Sequence, residues 1–227
     1  MIKLIAKKDK NMSNGKRDMS RTPLTESEIE YVKKEIKRIQ ADESKFVFND
    51  KEHIQKSTCY NFYKDIIYVT RNVFPDIKYA SAHPRDLMSV GAVLAHEYYG
   101  HRTYREEYLN DFELGENYYT TELWQDECRA SITAAKITPG LTQKEKADLI
   151  MDAVYRAEEF NHYIEMDKFM KEVLYGYTDG EKNITYDIGR INYVSKEGHT
   201  GNEIDRCSNG EMSEVWNDTE DYNFTKR

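Results

Sequence analysis

The sequence predicts an α+β protein that is mainly helical, with a small sheet packed on a central helix. Apolar residues recur at helical spacing over long stretches, and two short segments have the alternation and β-branched composition of strands. A chain of 227 residues with 39% hydrophobic residues is long enough for one well-buried domain. We expect this domain to span residues 23–176, between a flexible lead-in (1–22) and a polar C-terminal extension (177–227) that is partly strand and partly disordered.

The first helix is predicted to begin at Thr25. Thr25 and Glu28 have the spacing of a capping box, in which each side chain satisfies a backbone N–H of the other residue. The apolar residues that follow at helical spacing are Ile29, Val32, Ile36 and Ile39.

Three segments have strand character. Phe46 and Phe48 alternate with polar neighbours, and Ile66–Thr70 is β-branched and aromatic. Residues 184–194 also alternate and predict a strand or a hairpin.

A second helix is predicted over residues 85–109, because Pro84 suits the first turn of a helix. Its first half, residues 87–95, is almost entirely apolar or small and should be buried, whereas the part after His101 is charged. Residues 111–120 read as a loop.

A third helix should cover residues 121–137 and end at the Thr-Pro-Gly that follows. Thr142 and Glu145 repeat the capping-box spacing and open a further helical region. We expect that region to break near Asn161 and to end at Gly176.

The charge distribution and the lengths of the apolar runs limit the classes of partner expected for the protein. Net charge is −8, and residues 1–45 hold 12 Lys or Arg against 8 Asp or Glu, so the acidic excess lies in the rest of the chain. A nucleic-acid partner is not expected, because it requires a basic face on the folded domain. No apolar run approaches the roughly 18 residues of a membrane helix, so no membrane partner is expected either.

The cysteines and the N-terminus favour a cytoplasmic protein. The first apolar residues are too few for a secretory signal, although export as a toxin without a signal peptide stays open. No C-x-x-C pair occurs, which argues against both a disulfide scaffold and a thiolate zinc finger. The cysteines are Cys59, Cys128 and Cys207.

The sequence HEYYGH at residues 96–101 is the strongest functional signal. It is one residue longer than the zinc-binding pattern H-E-x-x-H, whose histidines lie about 40° apart around a helix. His96 and His101 would be about 140° apart on a regular helix, so a shared metal ion requires a wide i→i+5 turn between them. Gly100 should ease that distortion. The alternative is one surface histidine and one histidine satisfied in the core.

A second acidic motif, WQDECRAS, occupies residues 124–131. Catalytic zinc takes three protein ligands and keeps one position for water, so Asp126 or Glu127 could complete a site with two histidines. The alternative is an ordinary solvated helix face. Small residues that would let this helix approach its neighbour closely are Ala130, Ala134 and Ala135.

Together the two motifs resemble those of the dipeptidyl-peptidase III family, which carry H-E-x-x-G-H followed by E-E-C-R-A-E. This resemblance implies a zincin-like fold in which the predicted sheet packs on the active-site helix. It also implies that His96, His101 and Glu127 bind Zn²⁺ and that Glu97 is the general base.

The resemblance to that family covers about a dozen residues, and Asp126 and Ser131 stand where the family pattern has acids. The family's chains are much longer and their motifs lie further apart, so only the metal site and the reaction class are carried over. Residues 24–176 also resemble small zincin-like domains of gut Firmicutes and their mobile elements. The stretches 83–102 and 129–131 carry that likeness, which implies no particular substrate.

The sequence therefore predicts a zinc metallopeptidase that acts on a peptide or protein, with Glu97 activating a zinc-bound water. Ile66–Thr70 is the expected strand edge for an extended substrate. Possible donors to the oxyanion, which the sequence does not rank, are Tyr98, Tyr99, Tyr119, Arg129 and His83.

Two other hypotheses stay open at this stage. The chain could be a metal-binding but non-catalytic module of a phage or toxin-type mobile element, or a metal-free helical interaction domain. The sequence indicates no oligomeric state.

Overall fold

The computed structural model describes residues 17–18, 20–54, 56–76, 83–114, 122–176, 191 and 193–195, and confirms a mainly helical α+β protein with a small sheet. Within this described part of the chain, no helix combines the length and the apolar character needed to cross a bilayer. The helices are α1 (Glu26–Arg38), α2 (Pro84–Leu87), α3 (Val90–Ala95), α4 (Arg105–Leu114), α5 (Leu123–Ile137), α6 (Gln143–Glu159) and α7 (Lys168–Tyr175). The strands are β1 (Phe46–Phe48), β2 (Cys59–Asn61), β3 (Ile66–Val69), β4 (His162–Ile164) and β5 (Tyr193–Ser195).

Both predicted capping boxes are confirmed. The Thr25 N–H donates to the Glu28 carboxylate at 2.7 Å, and the Glu28 N–H donates to the Thr25 hydroxyl at 3.3 Å. Thr142 and Glu145 form the same pair of bonds at the start of α6. Three residues of the apolar stripe on and just after α1 are fully buried, namely Val32, Ile36 and Ile39.

The sheet has the strand order β1–β3–β2, with β3 parallel to β1 and antiparallel to β2. The expectation that Ile66–Thr70 forms a substrate-binding edge is therefore wrong, because β3 is the central strand. β2 was not predicted, since its three residues lie in a polar stretch without alternation. Tyr60 in β2 lies opposite Ile67 in β3, and β2 forms the outer edge.

The single helix predicted over residues 85–109 is wrong, because the chain breaks at residues 88–89. Met88 has an extended backbone (ψ 136°), and the Ser89 hydroxyl accepts the Ala92 N–H at 3.1 Å, which starts α3 as a new helix. Residues 111–114 are helical and belong to α4, whereas the rest of the predicted loop, 115–120, lies outside the described residues.

The wide turn predicted between the two histidines is confirmed. His96–Gly100 forms a π turn in which the His101 N–H reaches back to the His96 carbonyl, five residues earlier. Gly100 has a φ of −76° and a ψ of −84°, which lies outside the regular helical region. A Cβ at Gly100 would lie 2.5 Å from the carbonyl oxygen of Ala130, so this glycine also allows α5 to approach the turn closely.

The predicted break after α6 is confirmed at Asn161, which has a φ of +58°. The chain then forms β4, which was not predicted and pairs antiparallel with β5. Gly176 ends α7 in the left-handed conformation (φ +67°) that favours glycine. The predicted strand at residues 184–194 lies outside the described residues except at 191, 193 and 194.

Arg17 is buried although it falls within the predicted lead-in. Its guanidinium donates to the backbone carbonyls of Asn72 and Val73, which lie before α2 in the sequence. It also donates to the backbone carbonyls of Arg85 in α2 and of Met88 just after α2. The side chain therefore holds the turn that precedes α3 in place.

Gly100→Ala tests the close packing of the π turn on α5. Alanine normally stabilises a helix by about 0.5–1 kcal/mol relative to glycine. We expect the opposite sign here, a loss of about 1–3 kcal/mol in the free energy of unfolding, because the new methyl group meets backbone atoms that cannot rotate away. Urea denaturation measures the change, and a stabilised variant would contradict the packing described.

Candidate metal centre

Three predicted ligands converge between the π turn and α5. The His96 Nε2 lies 3.3 Å from Glu127 Oε2, and the His101 Nε2 lies 3.4 Å from Glu127 Oε1. One potential ligand atom from each residue falls within 4.8 Å of the other two. Both histidines are buried, and the Glu127 side chain is 18% exposed. This group could hold a metal ion.

The two His–Glu separations, each to a different oxygen of Glu127, are close to those between the ligands of a four-coordinate ion. Two ligand atoms that are each about 2.0–2.1 Å from a tetrahedral metal lie about 3.3–3.4 Å apart. The two imidazole rings are nearly perpendicular, at 85°, and both present Nε2 to Glu127. Two imidazoles and a carboxylate suit zinc and several other first-row transition metals, so the donor set by itself selects no single metal.

Glu97 lies directly beside this group and is buried. Its Oε2 accepts a hydrogen bond of 2.8 Å from the backbone N–H of Tyr60, so the outer edge of β2 faces the site. Burial raises the pKa of Glu97 above its ordinary value, although the neighbouring His101 and His96 oppose that shift. Sequence analysis did not anticipate Tyr60, because a main-chain donor leaves no signal in residue type.

A series of hydrogen-bonded polar side chains begins at the Nδ1 atom of His96, on the side of the ring away from Glu127. The His96 Nδ1 lies 2.9 Å from the Ser131 hydroxyl, which donates to Asp152 Oδ2 at 2.8 Å. Asp152 is fully buried and also accepts from the Nε of Arg156 at 2.9 Å. The Nη2 of Arg156 lies 3.2 Å from Glu127 Oε2, so the chain returns to the third candidate ligand.

A second chain supports His101. Its Nδ1 lies 3.0 Å from the Tyr108 hydroxyl, which donates to Asp126 Oδ1 at 2.8 Å. Asp126 Oδ2 is 3.3 Å from the same Nδ1, and the Nε of Arg129 donates to Asp126 at 2.7 Å. Of the two acids that the sequence offered as a third ligand, Glu127 faces both Nε2 atoms, whereas Asp126 lies behind one ring.

The charges of the group complement one another. Burial lowers the pKa of His101, but the nearby Tyr108, Glu127 and Asp126 outweigh it and raise this pKa well above its ordinary value. Burial raises the pKa of Glu127, but Arg156 and His101 outweigh it and bring this pKa well below its ordinary value. An ionised carboxylate therefore faces the histidines, and positive charge between them is favourable.

The possible oxyanion donors are engaged in other contacts. The single proton of the Tyr99 hydroxyl faces two backbone carbonyls just after α1, at 2.9 and 3.1 Å, and the ring of Tyr98 stacks on a phenylalanine of β1. Arg129 donates to two acidic side chains, and His83 caps the start of α2. Tyr119 lies outside the described residues.

Sequence analysis missed the contribution of α6. Asp152 and Arg156 are four residues apart on the face that also carries the buried Leu149 and Ala153. Charged residues are seldom found on a buried helix face unless they are paired, so their position in the apolar stripe was a usable signal.

No protein-family model, curated protein or solved structure matches this chain. The likeness to the dipeptidyl-peptidase III family rests on the residues of the two motifs.

Glu127→Gln tests the metal-binding group. With added zinc at about 100 times its dissociation constant, we expect the melting temperature of the metal-free wild type to rise by about 5–10 °C, because a bound ion stabilises the folded state. Gln removes the negative charge and should abolish most of this rise.

Glu122→Gln is the matched control, because Glu122 immediately precedes α5 and accepts a hydrogen bond from the Trp124 indole instead. Differential scanning calorimetry measures both variants. Equal shifts in the wild type and in Glu127→Gln would contradict the assignment.

Proposed function

We propose that this protein is a zinc-dependent hydrolase of peptide bonds with a zincin-like catalytic domain. In this proposal His96, His101 and Glu127 hold Zn²⁺, and Glu97 is the general base. The observation that carries the proposal is the convergence of the three candidate ligands directly beside a buried glutamate that follows the first of them in sequence.

The chemistry divides between the ion and the side chain of Glu97. When bound, zinc would act as a Lewis acid and would lower the pKa of a coordinated water to about 7. The Tyr60 N–H fixes Oε2 of Glu97, so Oε1 is the atom that would accept a proton and later release it to the leaving amine. Fixing one carboxylate oxygen restricts the rotation of the side chain and keeps the other in a constant position.

The position of β2 supports a peptide as the substrate class. Its outer edge lies beside Glu97, so an extended peptide paired with that edge would pass close to the proposed base. The Tyr60 N–H, which bonds to Glu97, would take no part in that pairing. In the proposal β2 takes the role that the sequence had suggested for Ile66–Thr70.

Two variants test the proposal with separate readouts. Elemental analysis of the purified wild type should give one zinc per chain, and His101→Ala should lose it. Glu97→Gln should keep the zinc, and its rate of hydrolysis of a peptide library should fall by at least about 100-fold, because only the proton acceptor is removed. Glu106→Gln, at a largely exposed side chain five residues after His101, is the control and should leave both readouts unchanged.

The outcomes separate the competing functions. Undiminished hydrolysis by Glu97→Gln would contradict the role of the base. A wild type that holds zinc but leaves the library uncut would favour a non-catalytic metal-binding module. A wild type without zinc, whose stability is unchanged by His96→Ala, would leave only a metal-free helical interaction domain.

A further inference from the structure

Both candidate histidine ligands have the same kind of support. In each case the Nδ1 atom contacts a hydroxyl group, and that hydroxyl donates to an aspartate. The first chain runs from His96 through Ser131 to Asp152. The second chain runs from His101 through Tyr108 to Asp126.

The direction of these hydrogen bonds places a proton on the Nδ1 atom of both rings. A hydroxyl has a single proton, and Ser131 and Tyr108 each give theirs to a carboxylate. The Ser131 hydroxyl must then accept the Nδ1–H of His96, and the Nδ1–H of His101 is shared between the Tyr108 hydroxyl and Asp126 Oδ2. A neutral ring protonated at Nδ1 carries its lone pair on Nε2, and this is the atom that faces Glu127 in both rings.

We propose that Ser131 and Tyr108 are positioning residues that hold His96 and His101 in the metal-binding tautomer, each accepting the Nδ1–H of its histidine while donating its own proton to an aspartate. This inference rests on the proposed metal centre. Groups that orient a ligating histidine commonly affect metal affinity by 10–100-fold. Here a hydroxyl stands between each ring and the carboxylate.

The support of His96 depends on the Ser131 hydroxyl more than the support of His101 depends on the Tyr108 hydroxyl. Asp126 Oδ2 is itself 3.3 Å from the Nδ1 of His101, so it can retain part of the contact when Tyr108 is lost. Asp152 reaches His96 through the Ser131 hydroxyl. Ser131 is therefore the residue at which the inference is tested most sharply.

Asp152 also links His96 to Glu127. Its Oδ2 accepts from both Ser131 and Arg156, and Arg156 reaches Glu127 Oε2 at 3.2 Å. One fully buried carboxylate on α6 thus orients two of the three candidate ligands. Its removal should weaken metal binding more than the loss of the Ser131 hydroxyl alone.

Ser131→Ala and Thr133→Val provide a matched pair. Each removes one buried hydroxyl from α5, and the Thr133 hydroxyl bonds to that of Tyr104 instead of to the metal group. We expect the zinc dissociation constant, measured by competition with a chromophoric chelator, to rise at least tenfold in Ser131→Ala and to stay within about twofold of the wild type in Thr133→Val.

The second pair is Asp152→Asn with Glu145→Gln as its control. Glu145 is a buried carboxylate of the same helix that pairs with Arg38. Asp152→Asn should weaken zinc binding more than Ser131→Ala, and Glu145→Gln should affect only the free energy of unfolding. This pair also provides the test if Ser131→Ala does not fold.

Proton NMR of the zinc-loaded protein adds a readout that packing alone would not change. The wild type should show a slowly exchanging Nδ1–H resonance from His96, and Ser131→Ala should lose it. If the wild type binds no zinc, the proposed function fails and this inference fails with it. If the wild type binds zinc and Ser131→Ala binds it as tightly as Thr133→Val does, the inference alone is overturned.

Discussion

The wide turn between His96 and His101 is the constraint on which the rest of the site depends. A regular helix would point these rings to different sides, and the i→i+5 hydrogen bond brings both Nε2 atoms towards Glu127. The turn is useful only if α5 lies against it, and Gly100 permits that contact because it has no Cβ to meet the Ala130 carbonyl.

Because the two histidines and the two glutamates of the site are largely buried, their polar atoms need hydrogen-bond or ion-pair partners. Two imidazoles and two glutamates in a largely buried space would be costly without partners. The second nitrogen of each ring bonds to a hydroxyl backed by an aspartate, Arg156 pairs with Glu127, and the Tyr60 N–H pairs with Glu97. Four parts of the fold therefore contribute: β2, α4, α5 and α6.

Features set by local chemistry could be predicted from the sequence. The capping boxes and the over-long histidine spacing depend on residues close together in the chain, and the structure bears out both. Features set by tertiary contact could not. The strand β2 has no alternating pattern. The break at Met88 and Ser89 lies inside an otherwise helical stretch, and besides the local cap by Ser89 it depends on hydrogen bonds from the distant Arg17. Ser131 is informative only once α6 places Asp152 behind it.

Anomalous diffraction at the zinc absorption edge, from crystals of the zinc-loaded protein, tests the central claim most directly. The account predicts one strong peak about 2.0–2.1 Å from the Nε2 atoms of His96 and His101 and about 2.0–2.2 Å from a carboxylate oxygen of Glu127. A peak elsewhere, or side chains that diverge and leave no room for an ion, would contradict it.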